Sequence, residues 1–240
     1  MRHLVLLYGD ETALPPPGSD EFMAQLPGYM AFGELAAGAI VGGDALHLQA
    51  GTRTVRLDGG SVSVTNGPFA DTVEGLGGFY VLDVPTLDDA IELARHIPTA
   101  QRGAIEIRPL IEFFDRSADV VPAAEGETRF LATIHGQAEL DGPGDPEWEA
   151  MGAAHGQFTD AAGDAVHAGG AVQPSSNATT IRVRDGELSV TDGPCAGVPT
   201  LTGGFYVLRG TEDGVADVAA KIPVGDGGIV VLSPILELGG

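Results

Sequence analysis

Thr65-Asn66-Gly67-Pro68-Phe69, followed by Gly77-Gly78-Phe79-Tyr80-Val81-Leu82, is the stretch on which the fold turns, because both phrases occur twice. The second copy reads Thr191-Asp192-Gly193-Pro194-Cys195, then Gly203-Gly204-Phe205-Tyr206-Val207-Leu208, so Thr65 returns as Thr191 and Tyr80 as Tyr206, an offset of 126. A repeat of about half of a 240-residue chain predicts two units of one design. What the copies share should be fold. Where they differ is where chemistry has been kept or lost.

Working outward from the first copy, Arg2 to Tyr8 reads as a strand, and Pro15-Pro16-Pro17-Gly18 breaks the chain before Ser19-Asp20-Glu21 offers helix-capping chemistry. Phe22, Leu26, Tyr29, Met30, Phe32 and Leu35 recur near helical spacing and predict a helix from about 21 to 37, kinked or delayed by Pro27-Gly28. Gly38, Gly42 and Gly43 punctuate its exit. Asp58-Gly59-Gly60 between two β-branched runs predicts a hairpin, residues 78–83 a strand, and Thr86 the cap of a helix over 87–96. The half closes on a strand over 104–111. The order β-α-hairpin-β-α-β is the split βαβ pattern of ferredoxin-like folds. The second half repeats it, with strand 130–135, helix 146–162, a hairpin over 181–191, strand 204–208, helix 211–221 and strand 228–235. The expected domains are 1–114 and 128–240, joined by a linker, 115–127, that lacks periodicity.

The net charge of -22 with a single lysine, Lys221, makes an acidic protein and excludes nucleic acid and anionic membrane as partners, since neutralising phosphates needs clustered Lys and Arg. No apolar run approaches a bilayer span, and the chain opens on a strand with no signal-peptide core, which predicts a soluble cytoplasmic protein. One cysteine, Cys195, excludes an intrachain disulfide and a thiolate zinc site, and reads as a small apolar filler. The histidines have no metal-site spacing and the glycines form no phosphate loop, so neither metal nor cofactor is expected.

The turn phrase, the Gly-Gly-Phe-Tyr strand and the final strand Ile105-Glu106-Ile107-Arg108-Pro109 together resemble the YCII-related family, and within it the branch named for an Asp-Gly-Pro-Phe (DGPF) turn. The resemblance covers both halves, as a tandem repeat. It implies an α+β fold of two ferredoxin-like units paired as a dimeric α+β barrel, here inside one chain, with a homodimer of chains left open. It also implies a cleft in which a His and an Asp face each other, and a setting beside alternative sigma factors.

Carried over residue by residue, that pair is His155 and Asp192. Aligning Phe158 with Phe32 sets His155 against Tyr29, and Asp192 answers Asn66. Only the second half thus holds an imidazole and a carboxylate able to act as a general base and its orienting partner, and the alternatives are a surface histidine and a turn residue. On the last strand Ile105 and Ile107 share one face, and Glu106 and Arg108 the other. Between paired units, Glu106 and Arg108 are either a structural ion pair or, with Tyr29 and Asn66, a ligand site for a small anionic metabolite. The second half has Val231 and Ser233 in their place. Two readings follow: a small-molecule-binding or interaction protein of unknown function, and an acid-base isomerase, lyase or hydrolase.

Overall fold

The computed structural model describes the chain apart from residues 14, 16, 17, 117–123, 125, 137, 141 and 238–240. The middle of the expected linker and two prolines of the Pro15–Pro17 run therefore lie outside the described residues. The first half runs β1 (Arg2–Asp10), α1 (Asp20–Met23), α2 (Leu26–Leu35), β2 (Ile40–Ala45), β3 (Arg53–Asp58), β4 (Ser61–Asn66), β5 (Glu74–Asp83), α3 (Leu87–Ala94), α4 (Thr99–Arg102) and β6 (Ala104–Asp115). The second runs β7 (Thr128–His135), α5 (Pro146–Ala162), β8 (Val166–Val172), β9 (Thr179–Arg184), β10 (Glu187–Asp192), β11 (Leu201–Gly210), α6 (Glu212–Ala219) and β12 (Ile229–Pro234).

Where the sequence predicts one helix over 21–37 there are two. Ser19 caps the first by accepting the Phe22 N–H at 3.2 Å, and Pro27 stands in the first turn of the second, where its missing N–H costs nothing. α3 starts on a reciprocal cap: Thr86 Oγ1 accepts the Asp89 N–H and Asp89 Oδ2 accepts the Thr86 N–H, each at 3.1 Å. The glycine-punctuated exits from α2 and α5 are themselves strands, β2 and β8, each paired antiparallel with the Gly-Gly-Phe-Tyr strand of its own half.

The chain forms two compact units, one of residues 1–48, 72–109 and 176–198, the other of 49–71, 110–175 and 199–240. They depart from the sequence halves in two respects: the hairpins are exchanged, and residues 110–114 at the end of β6 belong to the second unit. In unit 1 the strand order is β2-β5-β1-β6-β9-β10, with Ile105 opposite Ile181 and Ile107 opposite Thr179. In unit 2 it is β6-β8-β11-β7-β12-β3-β4, with Val230 opposite Val55. The physical cause is edge completion: the last strand of each half presents unpaired backbone groups, and the visiting hairpin satisfies them while adding apolar side chains to the core beneath.

Each unit is an antiparallel sheet with helices on one face. In unit 1 Val5, Leu7, Leu82, Ile105 and Ile107 pack against Phe32, Ala90, Ala94 and Ile97, joined by Ile181 and Val183 from the hairpin. In unit 2 Phe130, Ala132, Ile134, Tyr206 and Leu208 pack against Phe158, Val215 and Ala219, joined by Val55. The Ile105/Ile107 face is thus the helix-covered one, as the alternation along β6 predicts.

Candidate functional site

α5 begins at Asp145, whose carboxylate accepts the Glu147 N–H at 2.8 Å, with Pro146 as its first residue. Seventeen residues of helix then carry His155, Phe158 and Thr159 along one side, three and four residues apart. Beneath them β11 alternates faces, so that Tyr206 rises toward the helix. Its ring meets Phe158 edge-on at 5.3 Å and lies 6.4 Å from Phe114 of β6. A buried tyrosine needs a partner for its hydroxyl, and here it is His155: Nδ1 lies 2.7 Å from Tyr206 Oη.

The neighbouring strand makes room for that ring. Gly169 sits directly across from Tyr206, and a Cβ there would lie 2.7 Å from Tyr206 Cδ1 and 3.0 Å from the Phe114 ring. Gly43 stands in the same relation to Tyr80, with a Cβ position 2.7 Å from its ring. Only glycine lets an aromatic ring lie flat over the strand at these points.

A cavity of about 300 Å³ opens beside the His155–Tyr206 pair, wholly within unit 2. Its apolar wall includes Phe114, Trp148, Met151, Val172 and Phe205, and its polar groups include Glu112, Arg116, Asp160 and Thr202. That size and mixture are typical of a small-ligand pocket. Burial holds the His155 imidazole down to a pKa of about 4, and pushes the Tyr206 phenol up to about 12. Both are uncharged at neutral pH. Thr202 Oγ1 is buried and has no hydrogen-bond partner among the described residues.

The residues singled out in sequence are dispersed. Among the described residues no hydrogen bond or ion pair joins His155 to Asp192: His155 turns to Tyr206 in unit 2, and Asp192 is an exposed residue at the end of β10 in unit 1. Tyr29 and Asn66 are likewise placed in different units. The Tyr29 hydroxyl is 2.8 Å from Thr99 Oγ1, and Asn66 is exposed at the end of β4. Glu106 and Arg108 do meet, with Oε1 and Nη1 3.2 Å apart at 1% and 0% exposure.

That ion pair sits beside a wider, partly buried network of unit 1. Glu106 Oε2 accepts the Cys195 N–H at 2.9 Å, and Glu74 is gripped at both oxygens by Arg182, at 2.7 and 2.8 Å. The Arg182 hydrogen bonds hold the Glu74 carboxyl below the usual range, while burial, with Glu74 next, pushes the Cys195 thiol up to about 12. Burial also drives the Tyr8 hydroxyl well above its ordinary value, with Glu106 adding to it. The cysteine is thus a neutral, inert thiol, and the network's charges are spent on each other. Sequence reasoning passed over Tyr206 because it stood in a phrase read as fold. The signal was its phenol, which a buried strand position obliges to find a partner.

Among the described residues no three His, Cys, Asp or Glu side chains gather as a metal site, and no helix is long and apolar enough to cross a membrane.

The fold and the cavity define a mixed α/β protein of antiparallel sheets, few helices and a small-molecule-sized pocket. In sequence, the family model of the YCII-related domain matches residues 1–114. The chain is also similar to an uncharacterised protein, R00369, of Rhizobium meliloti (strain 1021), at 44% identity over 59 residues. That stretch is 24% of this chain, and it spans about half, 48%, of the relative.

Proposed function

We propose that this chain is a small-molecule-binding protein whose site is the cavity of unit 2. The observation that carries the reading is the hydrogen-bonded His155–Tyr206 pair set in the wall of a largely apolar cavity of about 300 Å³. A ligand site of this kind needs apolar area for affinity and a few fixed polar groups for orientation, and both are present. The anionic metabolite expected from Arg108 has less support: that guanidinium is buried and ion-paired with Glu106, and the cavity carries two carboxylates, Glu112 and Asp160, to one guanidinium, Arg116.

The test is a small-fragment screen by ligand-observed NMR on wild type and Gly156→Trp. Gly156 lines the cavity on α5, and a Cβ there meets nothing within 4 Å, so the helix has room for a bulky side chain at the cavity wall. Fragments that bind wild type and are lost in the variant support the site. Fragments that bind both proteins equally, or none that bind wild type, overturn it.

Acid-base catalysis is the second reading, favoured by the same dyad with Tyr206 in the place expected of Asp192. A conjugate acid near pKa 4 makes His155 a feeble base at neutral pH, which sets binding ahead of catalysis.

We also infer that units 1–114 and 128–240, joined by 115–127, arose by duplication of a ferredoxin-like unit. Equivalent contacts recur at the offset of 126: Phe32 on Tyr80 and Phe158 on Tyr206, and Thr54 donating to the Gly67 carbonyl as Thr180 donates to that of Gly193. The DGPF branch, pairing as an α+β barrel and a sigma-factor-linked setting belong to the same proposal and rest on the sequence phrases; a cytoplasmic location is proposed with them.

A further inference from the structure

We propose that Arg56 of unit 2 binds the carboxylate of a small organic acid, which takes the place that the Glu74 side chain holds in unit 1. This is a second site, apart from the cavity: none of Arg56, Phe69, His135 and Thr200 lines that cavity. The two exchanged hairpins are anchored alike. Thr54 donates to the Gly67 carbonyl at 2.8 Å and Thr180 to that of Gly193 at 2.9 Å, and Arg56 faces Ser63 across its hairpin as Arg182 faces Ser189. On the same side of the strand, two residues beyond each threonine, stands the arginine. Each leans over the residue that follows its Gly-Pro turn. Arg182 Nη2 lies 3.8 Å from Cys195 Sγ, while Arg56 Nη2 lies 3.5 Å from the Phe69 carbonyl oxygen, with the guanidinium carbon 5.7 Å from the Phe69 ring centre.

What differs is the partner. Arg182 is gripped by both oxygens of Glu74, at 2.7 and 2.8 Å, whereas the offset of 126 puts Thr200 where Glu74 stands. Among the described residues Arg56 forms no ion pair, and the long contact with Phe69 is its side chain's one hydrogen bond. Thr200 is brought to the same corner. Ile229 lies between Arg56 and His135 on neighbouring strands, the His135 and Phe69 rings are 5.1 Å apart, and His135 Nδ1 donates to the Thr200 carbonyl oxygen at 2.8 Å. His135 Nε2 is engaged with the Thr133 hydroxyl at 2.9 Å, so the imidazole is committed at both nitrogens and Arg56 is the group that meets an anion. A guanidinium stacked on a ring still presents its edge, a planar fork of N–H donors matched to two carboxylate oxygens. In a chain of net charge -22, no carboxylate of its own among the described residues closes this one. Glu74 reaches its arginine on a short aliphatic chain, and that defines the ligand: a planar carboxylate with a short alkyl body to lie against Phe69.

The test titrates butyrate, its uncharged counterpart butyramide and inorganic phosphate into the full chain at pH 7.5 and low ionic strength, following the Arg56 side-chain N–H signals by nitrogen-15 NMR. Butyrate should shift them and bind about tenfold or more tightly than butyramide, the effect of a charge-assisted pair, with phosphate weaker than butyrate. Arg56→Lys keeps the charge but loses the fork, and should weaken butyrate about tenfold. Thr200→Glu supplies the carboxylate from within, an arrangement that unit 1 already accommodates. It should abolish butyrate binding and raise the thermal unfolding midpoint. Thr200→Glu also keeps the proposal testable if Arg56→Lys folds poorly, because it leaves the arginine in place. Butyrate that binds Thr200→Glu as it binds wild type, that binds no better than butyramide, or that leaves the Arg56 signals unmoved would overturn the proposal. Phosphate binding more tightly than butyrate would overturn the carboxylate class.

Discussion

Replacing Glu106 by alanine should unfold unit 1 more readily than any single change on its surface. The side chain is 1% exposed and serves two groups at once: Oε1 faces the Arg108 guanidinium at 3.2 Å, and Oε2 takes the Cys195 N–H at 2.9 Å. Deleting one partner of a buried ion pair costs about 3–5 kcal/mol, because the surviving charge stays in a medium that solvates it poorly. A buried N–H without an acceptor falls within the same penalty. Against a typical domain stability of about 5–15 kcal/mol this is a fifth or more of the whole. Glu106→Gln keeps an acceptor for Cys195 and should cost less than alanine, whereas Glu106→Leu with Arg108→Met removes both charges together and should recover part of the loss. Urea unfolding followed by far-UV circular dichroism, with hydrogen exchange on residues 104–109 to assign the loss to unit 1, reads these differences. A Glu106→Ala midpoint within about 1 kcal/mol of wild type, at unchanged slope, would refute the idea that the pair is buried and dependent on its partner.

Three further outcomes are expected. His155 should not titrate above about pH 5 by proton NMR. Its folded pKa of about 4 lies below the ordinary 6.5, so the unfolded chain binds the extra proton and stability falls as pH drops from about 6.5 toward 4, by up to about 3 kcal/mol; a His155→Phe variant with the same acid sensitivity would contradict this. Gly169→Ala puts a methyl group 2.7 Å from the Tyr206 ring and should cost about 1–3 kcal/mol in thermal unfolding while abolishing fragment binding, and a variant that melts and binds as wild type does would remove the packing argument. Arg182→Lys loses the two-point grip on Glu74 at 2.7 and 2.8 Å and should destabilise unit 1 by about 1 kcal/mol, with no effect on the cavity of unit 2; equal stability would show that the grip contributes nothing.

Local elements were legible because their signals are local. The Asp58-Gly59-Gly60 turn, the Thr86 cap and the helix start at Pro146 each depend on a few adjacent residues, and each lies where the sequence places it. The strands β2 and β8 were hidden by their glycines, which read as loop. They are there because Tyr80 and Tyr206 lie across them, a requirement set by residues far away in the chain. The exchanged hairpins were hidden for the same kind of reason: alternation along β3 or β9 shows that a strand exists and which face is apolar, but not which edge it joins. The resemblance pairs His155 with Asp192, whereas the structure hydrogen-bonds it to Tyr206. The exposed turn residue and the buried phenol differ in what burial obliges them to do, and that is decided by tertiary packing.

The exchanged hairpins also bear on how the molecule comes off the ribosome. Unit 1 draws on residues up to Val198, and unit 2 begins with Gln49. When β6 has been made, its outer edge has no strand to join, Glu106 lacks the Cys195 N–H, and the β3–β4 hairpin has been synthesised with no β12 to receive it. The nascent chain must carry these open edges through most of its synthesis, and closure comes late, across long loops. Cutting such a gene at the linker would not release two domains. It would release two halves that each hold a piece of the other, and that should fold on being mixed.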